Sequence, residues 1–192
     1  YKVGNYDEAL VNIDRFISLH PGHKDLPYMY YLRGLSYYEQ ISDVQRDQGY
    51  TERALQAFNE VVNRFPDSEY ARDARFKITL CNDHLAGKEM MVGRFYQEKQ
   101  RHLAAINRFK TVVKEYEKTS QTPEALYRLV ESYLSLGLEN EAKKAGAVLG
   151  HNFPASDWYK DAYQLLTQKD LAPKGKKDSW AKGMWDGVKD IF

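Results

Sequence analysis

One arrangement of apolar positions recurs four times along this sequence of 192 residues. In the stretch Thr51–Pro66, Ala54, Phe58 and Val61 share one face of a helix, and Pro66 follows the alanine by twelve positions. The equivalent sets are Ala9, Ile13, Phe16 and Pro21; Ala105, Phe109, Val112 and Glu117; and Ala142, Gly146, Leu149 and Pro154. A stripe of small, large and medium side chains followed by a helix stop predicts repeated units of packed helices.

The same periodicity predicts nine helices and no strand, because no stretch alternates apolar and polar residues for long enough. The nine segments are Asn5–Leu19, Leu26–Ile41, Thr51–Phe65, Glu69–Leu85, Lys88–Lys99, His102–Tyr116, Thr122 to Leu136, Asn140–Gly150 and Ser156–Gln168. A break is expected at Gly87, and the polar segment Ser42–Tyr50 interrupts the pattern between the second and third helices.

The character of the sequence changes near Leu171, which predicts a repeat domain over residues 1–170 and a separate segment over residues 171–192. That segment opens with a basic linker and continues with an amphipathic tail. Trp180, Met184 and Trp185 are the contacts expected from the tail. We expect the tail to dock onto the repeat body or onto a protein partner, with a membrane surface as the alternative.

Composition excludes several classes of protein. Lys and Arg total 28 against 27 Asp and Glu, so the net charge of +1 provides no strong field for nucleic acid. No run of about 18 apolar residues is present, so no membrane-spanning helix is predicted. The single cysteine, Cys81, cannot form an intrachain disulfide and is expected to be a core thiol.

No catalytic motif is found, so we predict a protein that is not an enzyme, with no catalytic, cofactor-binding or metal-binding residues and no cofactor. His20 and His23 lie three positions apart across a Pro-Gly turn, but no third ligand accompanies them. The 15 tyrosines are unusual, and tyrosine suits grooves and helix-packing seams because its ring is buried while its hydroxyl stays hydrated.

The repeated positions resemble the tetratricopeptide repeat, a helix–turn–helix unit of about 34 residues. Its eight signature positions are matched without interruption by Leu126, Leu129, Val130, Tyr133, Ala142, Gly146, Leu149 and Pro154. The resemblance covers residues 5 to 168. It implies an all-α fold, a right-handed superhelix of antiparallel helix pairs.

A narrower resemblance is to the BamD family of outer-membrane assembly lipoproteins. It is carried by the phrases YDEALVNIDRFISLHPGHKDLPYMYYLRGLSYY, RALQAFNEVVNRFPDSEYARDA and MMVGRFYQEKQRHLAAINRFKTVVKEY. The resemblance implies a scaffold subunit of the β-barrel assembly (BAM) complex at the periplasmic face of the outer membrane. Its partners would be the BamA barrel subunit, other lipoproteins of the complex and unfolded outer-membrane proteins.

The family's lipid-bearing N-terminal cysteine has no counterpart among the 192 residues, and Cys81 is no substitute because it falls inside a predicted helix. We expect any signal and lipid-attachment segment to lie upstream of Tyr1. A signal peptide ending in such a cysteine would favour this family, whereas an ordinary cleavage site would favour another periplasmic repeat adaptor of cell-envelope or division systems.

Two sets of candidate binding residues follow from the rule that the first helix of each pair lines the concave face. The expected substrate-peptide groove consists of Tyr28, Tyr31, Leu35 and Tyr38. The expected BamA-contacting patch consists of Glu124, Tyr127, Glu131 and Leu134. The alternatives are that the tyrosines pack against a preceding helix and that the second set is a solvated face. A cytosolic co-chaperone that binds a C-terminal carboxylate is disfavoured, because such repeats use lysine and asparagine in the groove.

Overall fold

The chain is all-α. The computed structural model describes residues 4–44, 48–172 and 180–181, and within these residues there are eight helices and no strand. The helices are α1 (Tyr6–Leu19), α2 (Leu26–Tyr38), α3 (Gly49–Arg64), α4 (Glu69–Glu98), α5 (His102–Glu115), α6 (Thr122–Ser135), α7 (Glu139–Asn152) and α8 (Asp157–Gln168). Consecutive helices pack together in the order α1–α2–α3 and α5–α6–α7–α8, and α6 also contacts α8. This neighbour-to-neighbour packing of short helices is that of a tetratricopeptide-repeat-like fold, as predicted.

The break predicted at Gly87 is absent, which is why the described residues form eight helices where the sequence predicts nine. The two predicted segments, Glu69–Leu85 and Lys88–Lys99, join in one helix of 30 residues, α4, which ends one residue earlier, at Glu98. A glycine inside a helix costs only about 1 kcal/mol, and no proline accompanies Gly87 to force a stop. Ala86 and Met90 are fully buried on either side of it, so burial of the apolar stripe outweighs the propensity of one residue.

The contacts divide the chain into two compact units, residues 1–85 and 86–192. The core of the first unit contains Tyr30, Ala54, Phe58, Val61, Ala71, Ala74 and Cys81. The larger core of the second unit includes Phe109, Leu126, Leu129, Leu149, Tyr159 and Leu166. Burial raises the pKa of the Cys81 thiol to about 11, so this cysteine is an unreactive core residue, as predicted.

Close approach of paired helices depends on one glycine opposite one large side chain. A methyl group at Gly34 would lie 2.6 Å from Cε1 of Phe58, and one at Gly93 would lie 2.4 Å from Cε1 of Phe109. The same pairing is reversed between α6 and α7. There the larger residue, Val130, is on the first helix, and the glycine, Gly146, is on the second. A methyl group at Gly146 would lie 3.8 Å from Cγ2 of Val130.

The second helices of the pairs end in the same way. Their capping residues adopt φ between −128° and −134° and ψ between 34° and 58°, and each N–H donates to the carbonyl four residues before it. These residues are His20, Phe65, Tyr116 and Phe153. Three of them precede a proline, which disfavours helical geometry in the residue before it. Tyr116 precedes Glu117 and ends its helix alike, so the local packing reinforces the stop.

Candidate binding surfaces

The residues predicted for a peptide groove lie along α2, and their tyrosine rings meet the beginning of α4. The ring of Tyr28 lies 5.4 Å from the ring of Tyr70, and the ring of Tyr31 lies 5.5 Å from it on the neighbouring turn. The hydroxyl of Tyr31 also donates a hydrogen bond to a carboxylate oxygen of Asp73. We call Tyr28, Tyr31, Tyr38 and Tyr70 the tyrosine surface.

The other two predicted groove residues, Leu35 and Tyr38, pack against the core of the first unit. The ring of Tyr38 lies 6.1 Å from the ring of Phe58, and the ammonium group of Lys77 lies 4.3 Å from the Tyr38 centroid. Burial raises the pKa of the Tyr38 phenol, so the ring stays neutral at ordinary pH. Leu35 is half-buried against the core of the first unit. Tyr28, Tyr31 and Tyr38 thus have ring partners on α3 and α4.

The second predicted set lies on α6 and is joined by ion pairs. Arg94 donates to both carboxylate oxygens of Glu124, at 3.0 and 3.1 Å. Arg128 donates to Glu124 at 3.2 Å and to Glu131 at 3.0 Å. Gln97 donates to the same oxygen of Glu131 at 3.2 Å. Both predicted carboxylates are thus held by cationic or amide donors, and the two positive and two negative charges balance.

Tyr127 connects this network to an aromatic pair. Its hydroxyl donates to Glu131 at 3.0 Å, and its ring lies 5.3 Å from that of Trp158 on α8. The guanidinium of Arg128 lies 5.6 Å from the Tyr127 ring and 5.8 Å from the Trp158 ring. Burial first, and then the charge of Glu131, raise the pKa of Tyr127 to about 12. Leu134, the fourth predicted residue, is half-buried against the core of the second unit.

A polar cleft of about 330 Å³ opens beside the network. It is lined by Arg94, Gln97, Glu98, Gln100, His102, Arg128, Glu131 and Ser135. We call Glu124, Tyr127, Arg128, Glu131, Leu134 and Trp158, together with this cleft, the α6 surface. Its chemistry combines two half-buried aromatic rings with paired charges.

Sequence reasoning missed several members of both surfaces. Tyr70 and Asp73 flank the buried stripe of α4 as the tyrosines flank that of α2, so the same face argument extended to α4 could have found them. Arg128 was also within reach, because it follows Glu124 by four positions on one helix. Arg94 lies 30 positions before Glu124, and no local pattern signals that pair.

The predicted tail contacts lie only partly within the described residues. Trp180 packs on α8, with its ring 6.1 Å from that of Tyr163, and Met184 and Trp185 lie outside the described residues.

Residues 4–44, 48–172 and 180–181 lack two kinds of feature. No helix there is long and apolar enough to cross a membrane. These residues also hold no group of three or more His, Cys, Asp or Glu side chains that could bind a metal ion. The rings of His20 and His23 instead both pack against Phe16, at 5.1 Å.

A family model and several individual relatives match most of the chain. Residues 1–149 match the model of the YfiO family, described as outer membrane lipoprotein. The chain is 55% identical over 173 residues to the outer membrane protein assembly factor BamD of Caulobacter vibrioides, covering 90% of this chain and 57% of the relative. It is 52% identical over 166 residues to the BamD of Rickettsia prowazekii, covering 86% of this chain and 66% of the relative.

A more distant relative, the BamD of Neisseria meningitidis serogroup A, is 36% identical over 174 residues, covering 85% of this chain and 65% of the relative. The chain thus spans less than two thirds of the length of these relatives. Their names describe assembly factors, in agreement with the prediction of a protein that is not an enzyme. The chain belongs to the YfiO family of outer membrane lipoproteins, which includes the assembly factors named BamD.

Proposed function

We propose that this protein is a non-enzymatic scaffold subunit of the complex that assembles outer-membrane β-barrel proteins. The main support for this proposal is that two relatives named outer membrane protein assembly factor BamD are 55% and 52% identical to the chain over most of its residues. The protein would act at the periplasmic face of the outer membrane, held there by a lipid on an N-terminal segment upstream of Tyr1. Affinity purification of the tagged full-length protein from native membranes tests this. Recovery with a BamA-type barrel subunit supports the proposal, and recovery without one contradicts it.

The tyrosine surface is the proposed contact for unfolded outer-membrane protein substrates. Extended segments of such proteins alternate apolar and polar side chains, and aromatic rings offer rigid contact area at low entropic cost. Tyr28 is the most accessible member, at 37% exposure, with Tyr31 and Tyr70 behind it. The ring edge of Tyr28 is therefore the part that a bound peptide meets first.

A pair of tyrosines with equal exposure provides the test. Tyr28 and Tyr50 are both 37% exposed and lie in the same unit, but only Tyr28 belongs to the tyrosine surface. With a labelled peptide that ends in an aromatic residue, Tyr28→Ala should weaken binding at least about tenfold, as loss of an aromatic anchor does. Tyr50→Ala should stay within about twofold of the parent, since truncation of most contact residues costs little. Equal effects of the two substitutions would remove the tyrosine surface from the proposal.

The α6 surface is the proposed contact for the BamA-type barrel subunit. It presents the half-buried rings of Tyr127 and Trp158 beside a polar cleft, and aromatic residues and arginine are the side chains that most often anchor protein interfaces. The carboxylates of Glu124 and Glu131 hold Arg128 in place under these rings. The network thus fixes the shape of the surface before a partner arrives.

Leu134→Arg tests this surface by placing a charge at its edge. We expect weaker capture of the barrel subunit in a pull-down, with Leu19→Arg, the same change at a 62% exposed position of α1, as the matched control. Leu134 is half-buried, so circular dichroism must first show that the variant folds. If it does not fold, Glu131→Gln keeps the shape of the side chain but removes its charge and one of the two oxygens that accept from Tyr127, Gln97 and Arg128. Capture unchanged in a folded α6-surface variant would retire this surface.

A further inference from the structure

The end of the described chain contains a close helix contact that neither proposed binding surface uses. Gly146 and Gly150 lie one turn apart on α7. A methyl group at Gly150 would lie 2.6 Å from Cβ of Ala181, and one at Gly146 would lie 3.4 Å from Cη2 of Trp180. Side chains of α8 lie nearer still, with Leu166 at 2.6 Å from the Gly146 position and Tyr159 at 2.4 Å from the Gly150 position. Gly150 therefore lets both α8 and Ala181 approach the backbone of α7, and Trp180 lies in ordinary contact beside Gly146.

The other wall of this contact comes from α8. The ring of Trp180 lies 6.1 Å from the ring of Tyr163, at an interplanar angle of 59°. Ala181 is only 1% exposed and belongs to the core of the second unit, against which Trp180 also packs. Burial of this kind is that of a core contact, since surface side chains that touch by chance retain most of their exposure.

We propose that α7 and α8 form a helix-docking groove, built on Gly146, Gly150 and Tyr163, and that this chain's own tail occupies it through Trp180 and Ala181. The fit is specific in size at both positions. Trp180 supplies a broad ring for the gap between α7 and α8, and Ala181 is small enough to lie against Gly150. A larger residue in place of Ala181 has no space there.

The tether explains why the occupant is the tail and not a separate partner. Ala172 is buried in the same core, and seven residues separate it from Trp180. A short linker holds a segment near its site at an effective concentration on the order of millimolar. A separate helix present at micromolar concentration therefore competes poorly. Trp180 and Ala181 cover part of α7 and α8, as a capping element covers the end of a repeat array.

Ala181→Leu in the full-length chain opens the groove without changing any residue of α1 to α8. The probe is a fluorescein-labelled peptide of residues 176–192, followed by fluorescence anisotropy. We expect it to bind the Ala181→Leu protein at least about tenfold more tightly than the parent, whose own tail fills the groove. Ala155→Leu, the same change at an exposed position in the turn after α7, should behave like the parent.

Hydrogen exchange gives a second readout on the same proteins. Amides of α7 and α8 should exchange faster in the Ala181→Leu protein, and saturating labelled peptide should restore their protection. A peptide that itself carries Ala181→Leu should do neither. The proposal is overturned if the parent and the Ala181→Leu protein bind the peptide equally, if neither binds it, or if α7 and α8 keep their protection in the variant.

Discussion

Replacing Phe58 with alanine removes the ring at the centre of the first unit's core. The ring is fully buried, and the rings of Tyr31 and Tyr38 lie 5.9 and 6.1 Å from it. Gly34 lies directly opposite, close enough that a single added methyl group would clash with the ring. These neighbours are held by their own contacts, so the space left by the ring can collapse only in part. We expect a loss of about 3–5 kcal/mol in the free energy of unfolding.

The measurement is urea unfolding followed by circular dichroism at 222 nm. With a denaturant slope of about 2 kcal/mol per molar, that loss lowers the unfolding midpoint by roughly 1.5–2.5 M. The matched control is Phe76→Ala, the same change at a position of α4 that is 60% exposed. Its effect should stay within about 0.5 kcal/mol, since it creates no cavity.

Hydrogen exchange shows which helices lose stability in the Phe58→Ala variant. Amides of α2 and α3 should lose protection in Phe58→Ala and keep it in Phe76→Ala, because Phe58 lies between these two helices. The reasoning fails if both variants have the same midpoint. That result would mean that the repeated stripe of small, large and medium side chains is not the buried seam.

Two further predictions concern the second unit. Gly93→Ala should lower the free energy of unfolding by about 1–3 kcal/mol, because its methyl group would lie 2.4 Å from the buried ring of Phe109. Gly22→Ala is the control: nothing lies within 4 Å of the added methyl group, so the change should be nearly neutral in thermal or urea unfolding. For Tyr127, burial and Glu131 raise the pKa from 10.0 to about 12, so between these values the unfolded phenol releases its proton while the folded one retains it. The free energy of unfolding of the parent should therefore fall more steeply with pH across this window than that of Tyr127→Phe, and parallel curves would contradict the assignment.

The repeated seam was predictable because it is written in local spacing. A stripe at i, i+4 and i+7 with a stop twelve positions after its first residue marks both the buried face and the helix end. Phe58, Val61, Phe109 and Val112 are fully buried as this spacing requires. The error at Gly87 has the opposite origin. The propensity of Gly87 alone indicates a break, whereas the burial of Ala86 and Met90 on either side of it decides that the helix continues.

The candidate surfaces were predictable only along single helices. The tyrosines of α2 share a face by period alone, which the sequence shows directly. Their contacts with Tyr70 and Asp73 join positions about 40 residues apart, as the hydrogen bond from Tyr31 to Asp73 illustrates. The pair Arg94–Glu124 likewise joins positions 30 residues apart, which no local pattern connects. Such contacts depend on how helices pack, and periodicity within one helix carries no information about them.

The charge pattern of the α6 surface bears on how a partner would bind it. Arg94 and Arg128 already face Glu124 and Glu131, so these four charges cancel within the protein and are not free to attract a charged partner over distance. Binding there would then depend on contact with the Tyr127 and Trp158 rings and on hydrogen bonds in the cleft. Its association rate should consequently change little between low and physiological salt, where a surface of unpaired charges would slow markedly. Stopped-flow association at two ionic strengths distinguishes these cases, and a steep decrease with salt would show that a partner breaks the ion pairs and binds the released charges.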